Sequence, residues 1–506
     1  MGPKTSSSDH ADISPSSVNH ILLAFLFIGL LLRVGVALQL PRIAHPDEIF
    51  QSQEPAHRLA YGYGVISWEW RDGVRSWVFP AFLAGVMRAT SWMGAGSSGY
   101  LLGIKLVLSL LSLTTVAFSF AVAKRENGID AAIIAAGTCA LWYSLVDFGP
   151  RALIEVVSAH VFLPGLYLGV YAEKLDERKR LFAAGLLCGL AVCLRIQMAP
   201  AVAFAIAYFC HPAWKRRIPP VALGLLVPLV GFGFADAVTW SYPFESFVRY
   251  FWINLVQGRS AIYGSDPWYW YLGVALPLAL GPIFILAFFG LRRSAFLSWL
   301  ALILVASHSV IPHKEARFLY VLWPIAITLA AMGMVDLAAA VNARRKSPLS
   351  SRAVVLACLS LPVIFLAGAA IGYHYLGDVS GSMSVFDRLS RDSTVCGVGM
   401  AKLWWVDPGG YTHLHRNVPI VFLPKEVMFR ADVAFVEPKI YEADESEMNQ
   451  MAASFNALVS AGTLAHPPVG FVLQGCWNKA CLYQRPGICA PAGDDEINTL
   501  LKRAGM

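Results

Sequence analysis

Two segments far apart in the chain, 45–80 and 307–324, gather ionisable side chains in a sequence otherwise poor in them. The first, HPDEIFQSQEPAHRLAYGYGVISWEWRDGVRSWVFP, sets His45, Asp47, Glu48, Glu54, His57, Glu69, Arg71, Asp72 and Arg75 among Trp68, Trp70 and Trp77. A carboxylate at the edge of an apolar phase is costly to place there and is commonly functional. Asp47, with Glu48 as the second choice, is the candidate general base, able to take a proton from an attacking hydroxyl. Aromatic residues alone would suit an interfacial belt. Mixed with acids they suit a sugar, because ring faces stack on pyranose C–H groups while carboxylates accept from hydroxyls. His45, Glu54, His57, Trp68, Glu69 and Trp70 are the candidate sugar or acceptor contacts. The second segment, SHSVIPHKEARFLYVLWP, packs His313, Lys314 and Arg317 into five residues. These three cations, with Arg75, are candidates to hold a phosphate through charge-assisted hydrogen bonds, Arg offering a two-pronged donor.

A third polar stretch, 234–271, carries Asp236, Glu245, Arg249, Asn254, Arg259 and Asp266 between Trp and Tyr residues. It reads as interfacial helices and a loop, with YGSDPWYWY suited to line a groove for a lipid chain. Asp147, Arg151 and Glu155 in DFGPRALIE, and Arg195 with Gln197, read as structural polar residues between helices.

These segments must be positioned by a membrane-embedded scaffold. Of 506 residues, 57% are hydrophobic and 14% charged, against about 25% charged in soluble domains, and the mean hydropathy is +0.56. Apolar runs long enough for a hydrocarbon core of roughly 30 Å occur near 20–40, 101–123, 131–147, 157–172, 219–236, 272–290, 295–311, 318–340 and 353–373. The run 181–210 is too long for one span and reads as two short helices meeting at a polar turn around Arg195, giving about eleven segments. No cleavable signal is evident, and residues 1–19 read as a disordered tail.

The net charge is +7, but its placement is more informative. Basic clusters at Lys124–Arg125, Lys174 with Arg178–Arg180, Lys215–Arg217, Arg292–Arg293 and Arg344–Lys346 fall on one side of this arrangement, which the positive-inside rule makes cytoplasmic. The polar motifs all fall on the other side, together with everything after about 374. A basic cluster at 313–317 that merely snorkelled would belong on the opposite face.

The tail, 374–506, alternates short apolar runs (VPIVFLP, ADVAFVEP, VGFVLQ) with the helix-like stretch ADESEMNQMAASFNALVSAG, which suggests a small α/β layer. It holds Cys396, Cys476, Cys481 and Cys489, in a compartment that permits disulfides; four cysteines allow three pairings. The other five lie in or beside spans as small core residues. The spacing CWNKACLYQRPGIC matches no standard zinc pattern.

HPDE-x-FQ-x-x-E, then WEW followed by RS and Pro80, and HKE-x-RF together resemble the Alg9-like mannosyltransferases, glycosyltransferase family 22 of the GT-C fold. Within that family the likeness is nearest to the branch of the third mannosyltransferase of GPI-anchor assembly. GGYTHLHRNVPIVFLP and YGSDPWYWY also resemble family segments, so the likeness extends over most of the chain. The resemblance implies an inverting transferase that moves mannose from a dolichyl- or polyprenyl-phosphate donor to a lipid-linked glycan acceptor, without metal or other cofactor. The expected fold is an α-helical polytopic GT-C body, 20–373, with a large outward loop, 41–100, and a soluble α/β domain, 374–506. The expected setting is the endoplasmic reticulum or a bacterial inner membrane, with the site lumenal or periplasmic and no nucleic-acid partner. A transferase of another lipid-linked sugar, a transporter and a membrane scaffold are the alternatives.

Overall fold

The computed structural model describes residues 15–39, 45–375, 381–423, 445–493 and 496–503. Residues 1–14 of the expected disordered tail and the apolar run 431–438 lie outside the described residues; from Pro15 the chain is already helical, with proline suited to the first helical position.

Apolar composition and length drive the spans, since a buried backbone in lipid must satisfy its own hydrogen bonds. Among the described residues five helices are long and apolar enough to cross a membrane on their own, and Tyr271–Leu280 with Pro282–Gly290, bent by 105°, makes a sixth if the pair is one span. Of the eleven expected segments, the remainder are shorter or carry more charge: Ile154–Val170, Glu177–Leu194, Ile196–Cys210 and Ala295–Ser309. Ser98–Leu141, 44 residues of near-continuous helix, serves two expected segments; it is broken at Gly128, whose φ of 86° leaves the helical region beside Lys124–Arg125. The run 181–210 divides at Arg195–Met198 as its polar centre suggested.

Leu322–Asn342 lies mostly inside the bundle, whereas Pro15–Gln39 and Ser351–Tyr375 lie at its periphery with most of their side chains facing outward. Glycines let two spans touch: a Cβ at Gly185 would fall 2.1 Å from the Val221 carbonyl, and one at Gly224 2.0 Å from that of Phe182. At one end of the bundle, Arg125 pairs with Glu173, Arg216 and Arg217 with Glu177, and Arg293 with Asp336. Three of the five basic clusters thus meet acids of neighbouring helices.

The tail folds around a five-stranded sheet: β1 (Val398–Ala401), β2 (Ile420–Phe422), β3 (Ala457–Ala461), β4 (Val472–Trp477) and β5 (Ala480–Gln484), in the order β2-β1-β3-β5-β4. β1 runs parallel to β2 and β3, and β5 antiparallel to β3 and β4. Among its described residues, 445–462, the stretch read as helix-like over 443–462 is helical only at Glu445–Met451 and the turn Ala452–Ser454. Its ALVSA becomes β3, because a strand between β1 and β5 buries both faces and tolerates a continuous apolar run. β4 and β5 turn through Asn478 and Lys479, both at positive φ, as a two-residue type I′ hairpin requires.

Of the three possible pairings the structure forms Cys396–Cys489 and Cys476–Cys481. The second joins directly opposed residues of the hairpin, and the first closes 93 residues of chain. Because loop-closure entropy grows with length, Cys396→Ser is expected to destabilise the tail by about 4 kcal/mol and Cys476→Ser by less. Thermal unfolding of the two variants in detergent, with non-reducing gels, checks the order.

Candidate active site

The outward segments converge. A cavity of about 830 Å³ is walled by the first loop, the 195–197 turn, the 246–271 stretch, residues 307–318 and, from the tail, Trp404–Val406. Asp47 stands at the start of the π-helical turn Glu48–Gln53, and Arg317 on the short 3-10 turn that leads into the central span. Residues this distant in sequence meet closely: Arg317 Nη2 donates to Asp47 Oδ2 at 2.6 Å.

Arg317 is 3% exposed and serves three carboxylates, while the Asp47 side chain is 36% exposed. Its Nε and Nη2 donate to Glu315 at 2.7 and 2.8 Å, and its Nη1 to Glu155 Oε1 at 2.8 Å. Glu155 Oε2 in turn accepts from Arg195 at 3.1 Å. Burial alone would raise the Glu315 carboxyl, but hydrogen bonds from His313 and Arg317 outweigh it and hold the group well below the usual carboxylate range. The outcome is a fixed network whose acids Asp47, Glu155 and Glu315 all border the cavity, with Asp47 the most exposed of the three.

A second pair lies across the first loop. Arg75 Nη2 donates to Glu69 Oε1 at 2.7 Å, and Gln51 reaches the same oxygen. Trp68 lies under Arg259 at 3.9 Å. Among the described residues no three His, Cys, Asp or Glu side chains form a metal set; Asp47, Glu155 and Glu315 converge on a guanidinium instead.

Residues 23–412 match the model of the Alg9-like mannosyltransferase family. The chain belongs to that family. It is 31% identical over 409 residues to the GPI mannosyltransferase 3 of Yarrowia lipolytica, covering 78% of this chain and 75% of the relative. With the GPI alpha-1,2-mannosyltransferase 3 of Mus musculus it shares 26% over 474 residues, 87% of this chain and 81% of the relative. The structure of ArnT from Cupriavidus metallidurans bound to undecaprenyl phosphate superposes with a TM-score of 0.60 at 13% identity, covering 93% of this chain and 98% of that one. The fold is thus of the GT-C type, and this Alg9-like mannosyltransferase is a glycosyltransferase rather than a transporter or scaffold.

The remaining candidates of the sequence divide sharply. His45, Trp68, Glu69, Arg75, His313 and Lys314 line the cavity with Asp47 and Arg317. His45 is held down at about 4 by burial and then by Arg317 and Arg151, so it is neutral at neutral pH. Lys314 donates to the carbonyls of Asp266, Ile311 and Pro312, and His313 bridges Glu315 and the Gly264 carbonyl. Arg317 and Lys314 therefore offer little to a phosphate; carboxylates take four of the five Arg317 N–H groups and carbonyl dipoles the three of Lys314.

Glu48 points elsewhere, accepting from Arg151 at 3.0 Å beside a separate cavity of about 50 Å³ that also holds Lys105 and His413. Trp70 supports the floor, donating from Nε1 to the Phe50 carbonyl and packing on Trp77.

Glu54 and His57 are corrections of a different kind. Both are fully buried where the first loop meets the tail, away from the cavity. Glu54 accepts from the backbone N–H groups of Val65 and Thr412, and His57 bonds the Tyr63 carbonyl and, at 3.0 Å, His415. They dock the tail and have no room for a sugar.

This docking joint makes a pH prediction. Burial pushes the Glu54 carboxyl up from 4.5 to about 7, against the opposing pull of its backbone donors. Burial pulls His57 down from 6.5 to about 3. Stability from Glu54 is present below pH 4.5 and lost as pH rises to 7; stability from His57 is present above pH 6.5 and lost as pH falls toward 3. Between pH 4.5 and 6.5 the two slopes oppose each other and nearly cancel. Glu54→Gln removes one of them, so between pH 4.5 and 6.5 the variant is expected to lose stability with falling pH more steeply than the parent protein, by about 1.4 kcal/mol per pH unit. Unfolding midpoints across pH check this, and an unchanged profile dismisses Glu54 as the raised group.

Sequence reading passed over several members of the site. Glu155 and Arg195, which read from the sequence as structural polar residues, extend the Arg317 network. Their signal was charge inside apolar helices, which is expensive without a partner. His308, Tyr250 and Trp404–Trp405 also line the cavity; no pattern of spacing marks them.

Proposed function

We propose that this Alg9-like enzyme is an inverting mannosyltransferase that moves mannose from a dolichyl- or polyprenyl-phosphate donor to a lipid-linked glycan in GPI-anchor assembly. The names of its relatives support the pathway. The observation that carries the chemistry is the Asp47 carboxylate, fixed by Arg317 yet open to the large cavity.

In this reading the acceptor hydroxyl oxygen attacks the anomeric carbon of the donor while Asp47 takes its proton. The bond between that carbon and the phosphate oxygen breaks, and the lipid phosphate leaves with the electron pair. His313 and Lys314 face the phosphate. Lys314 has its hydrogen bonds satisfied by carbonyls, but among the described residues no carboxylate bonds to its ammonium, so its charge still acts on a leaving phosphate. Arg75, paired one-to-one with Glu69, flanks the sugar with Trp68 and His45. The segregation of basic clusters supports a lumenal or periplasmic face for this site.

Membranes carrying the protein are expected to transfer labelled mannose from a polyprenyl-phosphate donor to acceptor glycolipid. Use of nucleotide-activated mannose in place of the lipid phosphate overturns the reading. Preference for another polyprenyl-phosphate sugar overturns only its mannose part.

A further inference from the structure

The tail domain extends into the cavity through the loop that follows β1. Ligands of parallel sheets gather outside the carboxyl ends of the strands, and this loop leaves the carboxyl end of a strand flanked on both sides by parallel neighbours. It is held in one shape: Asp407 Oδ2 accepts from the Trp404 backbone N–H at 2.8 Å, and the Asp407 carbonyl accepts from Ser382.

Trp404 and Trp405 line the cavity that Asp47 faces. Trp405 is buried against the Phe50 ring, with centroids 4.6 Å apart, and Phe50 lies three residues from Asp47 on the same helical turn. Among the described residues the Trp405 indole Nε1–H is buried with no acceptor. Other buried polar atoms of the chain share this state, the Trp323 Nε1–H among them, but the Trp405 ring also lines the cavity. The three loop residues at the cavity, Trp404, Trp405 and Val406, carry no charge. Their chemistry is that of a neutral sugar site, a ring face with an N–H donor, in contrast to the cations at 313–317.

We infer that Trp404 and Trp405 form the binding subsite for the terminal mannose of the acceptor glycan, so that the tail domain determines acceptor specificity. Trp404 stacks on the pyranose, and the Trp405 N–H donates to a ring hydroxyl neighbouring the one that gives its proton to Asp47. The inference rests on the reading of Asp47 as the base that faces the acceptor.

The test uses the full chain in lipid nanodiscs and octyl α-mannobioside as the probe, with binding read by calorimetry. Trp405→Phe keeps the ring against Phe50 and removes the N–H; Trp404→Ala removes the half-exposed ring. Each is expected to weaken mannobioside binding about 10-fold while leaving undecaprenyl phosphate binding unchanged. In transfer assays Trp405→Phe is expected to raise the acceptor KM without moving the donor KM, a split that a general loss of packing would not produce. Mannobioside affinity unchanged in both variants, or no binding by the parent protein, overturns the inference even where transfer proceeds. Binding that weakens as expected in a protein that does not use lipid-phosphate mannose overturns the donor reading and leaves the subsite standing.

Discussion

Asp47→Asn is expected to lower kcat for mannose transfer by about 10²–10⁴-fold, the range that a positioned general base contributes. The amide keeps the size of the carboxylate and an oxygen for Arg317, and Glu155 and Glu315 remain on the guanidinium. Thermal stability is therefore expected to stay close to that of the parent, and donor binding with it. The comparison that makes this informative is Glu48→Gln. Glu48 is the neighbouring acid, but its oxygens are taken by Arg151, Gln53 and the Ala152 N–H. Its substitution is expected to weaken the packing of the first loop against Asp147–Ala152 and to leave a measurable chemical step. Single-turnover transfer with both substrates saturating separates the two. Substantial turnover by the Asp47 variant assigns the base elsewhere, and Glu69 is then the next carboxylate at the cavity.

The convergence of 45–80 with 307–324 was legible because both runs are polar in an apolar chain and fall on the same side of the spans. Charge placement is a one-dimensional signal, and a polytopic topology converts it into proximity. What a side chain does once there depends on its partners, which spacing does not encode. Glu54 and Glu69 look alike in sequence, each an acid near aromatic residues. One meets the backbone of a domain more than three hundred residues later, the other a guanidinium six residues on. The tail shows the same limit. ALVSA has neither the alternation of a half-buried strand nor the length of a helix, so only its neighbours on both sides in the sheet decide it. Trp404 and Trp405 had no apolar or charged pattern to single them out, and their position at the cavity follows from the docking of the tail on Phe50 and Val65.

Arg317→Ala distinguishes a phosphate ligand from an organiser of carboxylates. A residue that only bound phosphate could be removed at little cost to the fold, and its loss would appear in the donor KM. Here the guanidinium is almost fully buried and holds Asp47, Glu155 and Glu315 together. Without it three carboxylates share Arg195 and the neighbouring histidines, and removing one partner of a buried ionic network costs about 3–5 kcal/mol. The variant is expected to unfold several degrees earlier in detergent and to lose transfer, with kcat falling more than the donor KM rises. Arg317→Lys is expected to recover part of the stability but little of the rate, since one ammonium cannot match the planar fork that joins three acids. Glu155→Gln in the Arg317→Ala background then reports the cause. If like-charge repulsion destabilises the single variant, removing one of the three acids is expected to restore stability by about 1 kcal/mol or more without restoring transfer, because Asp47 is still unheld. An Arg317→Ala protein of parental stability, changed only in its donor KM, would return this residue to the phosphate.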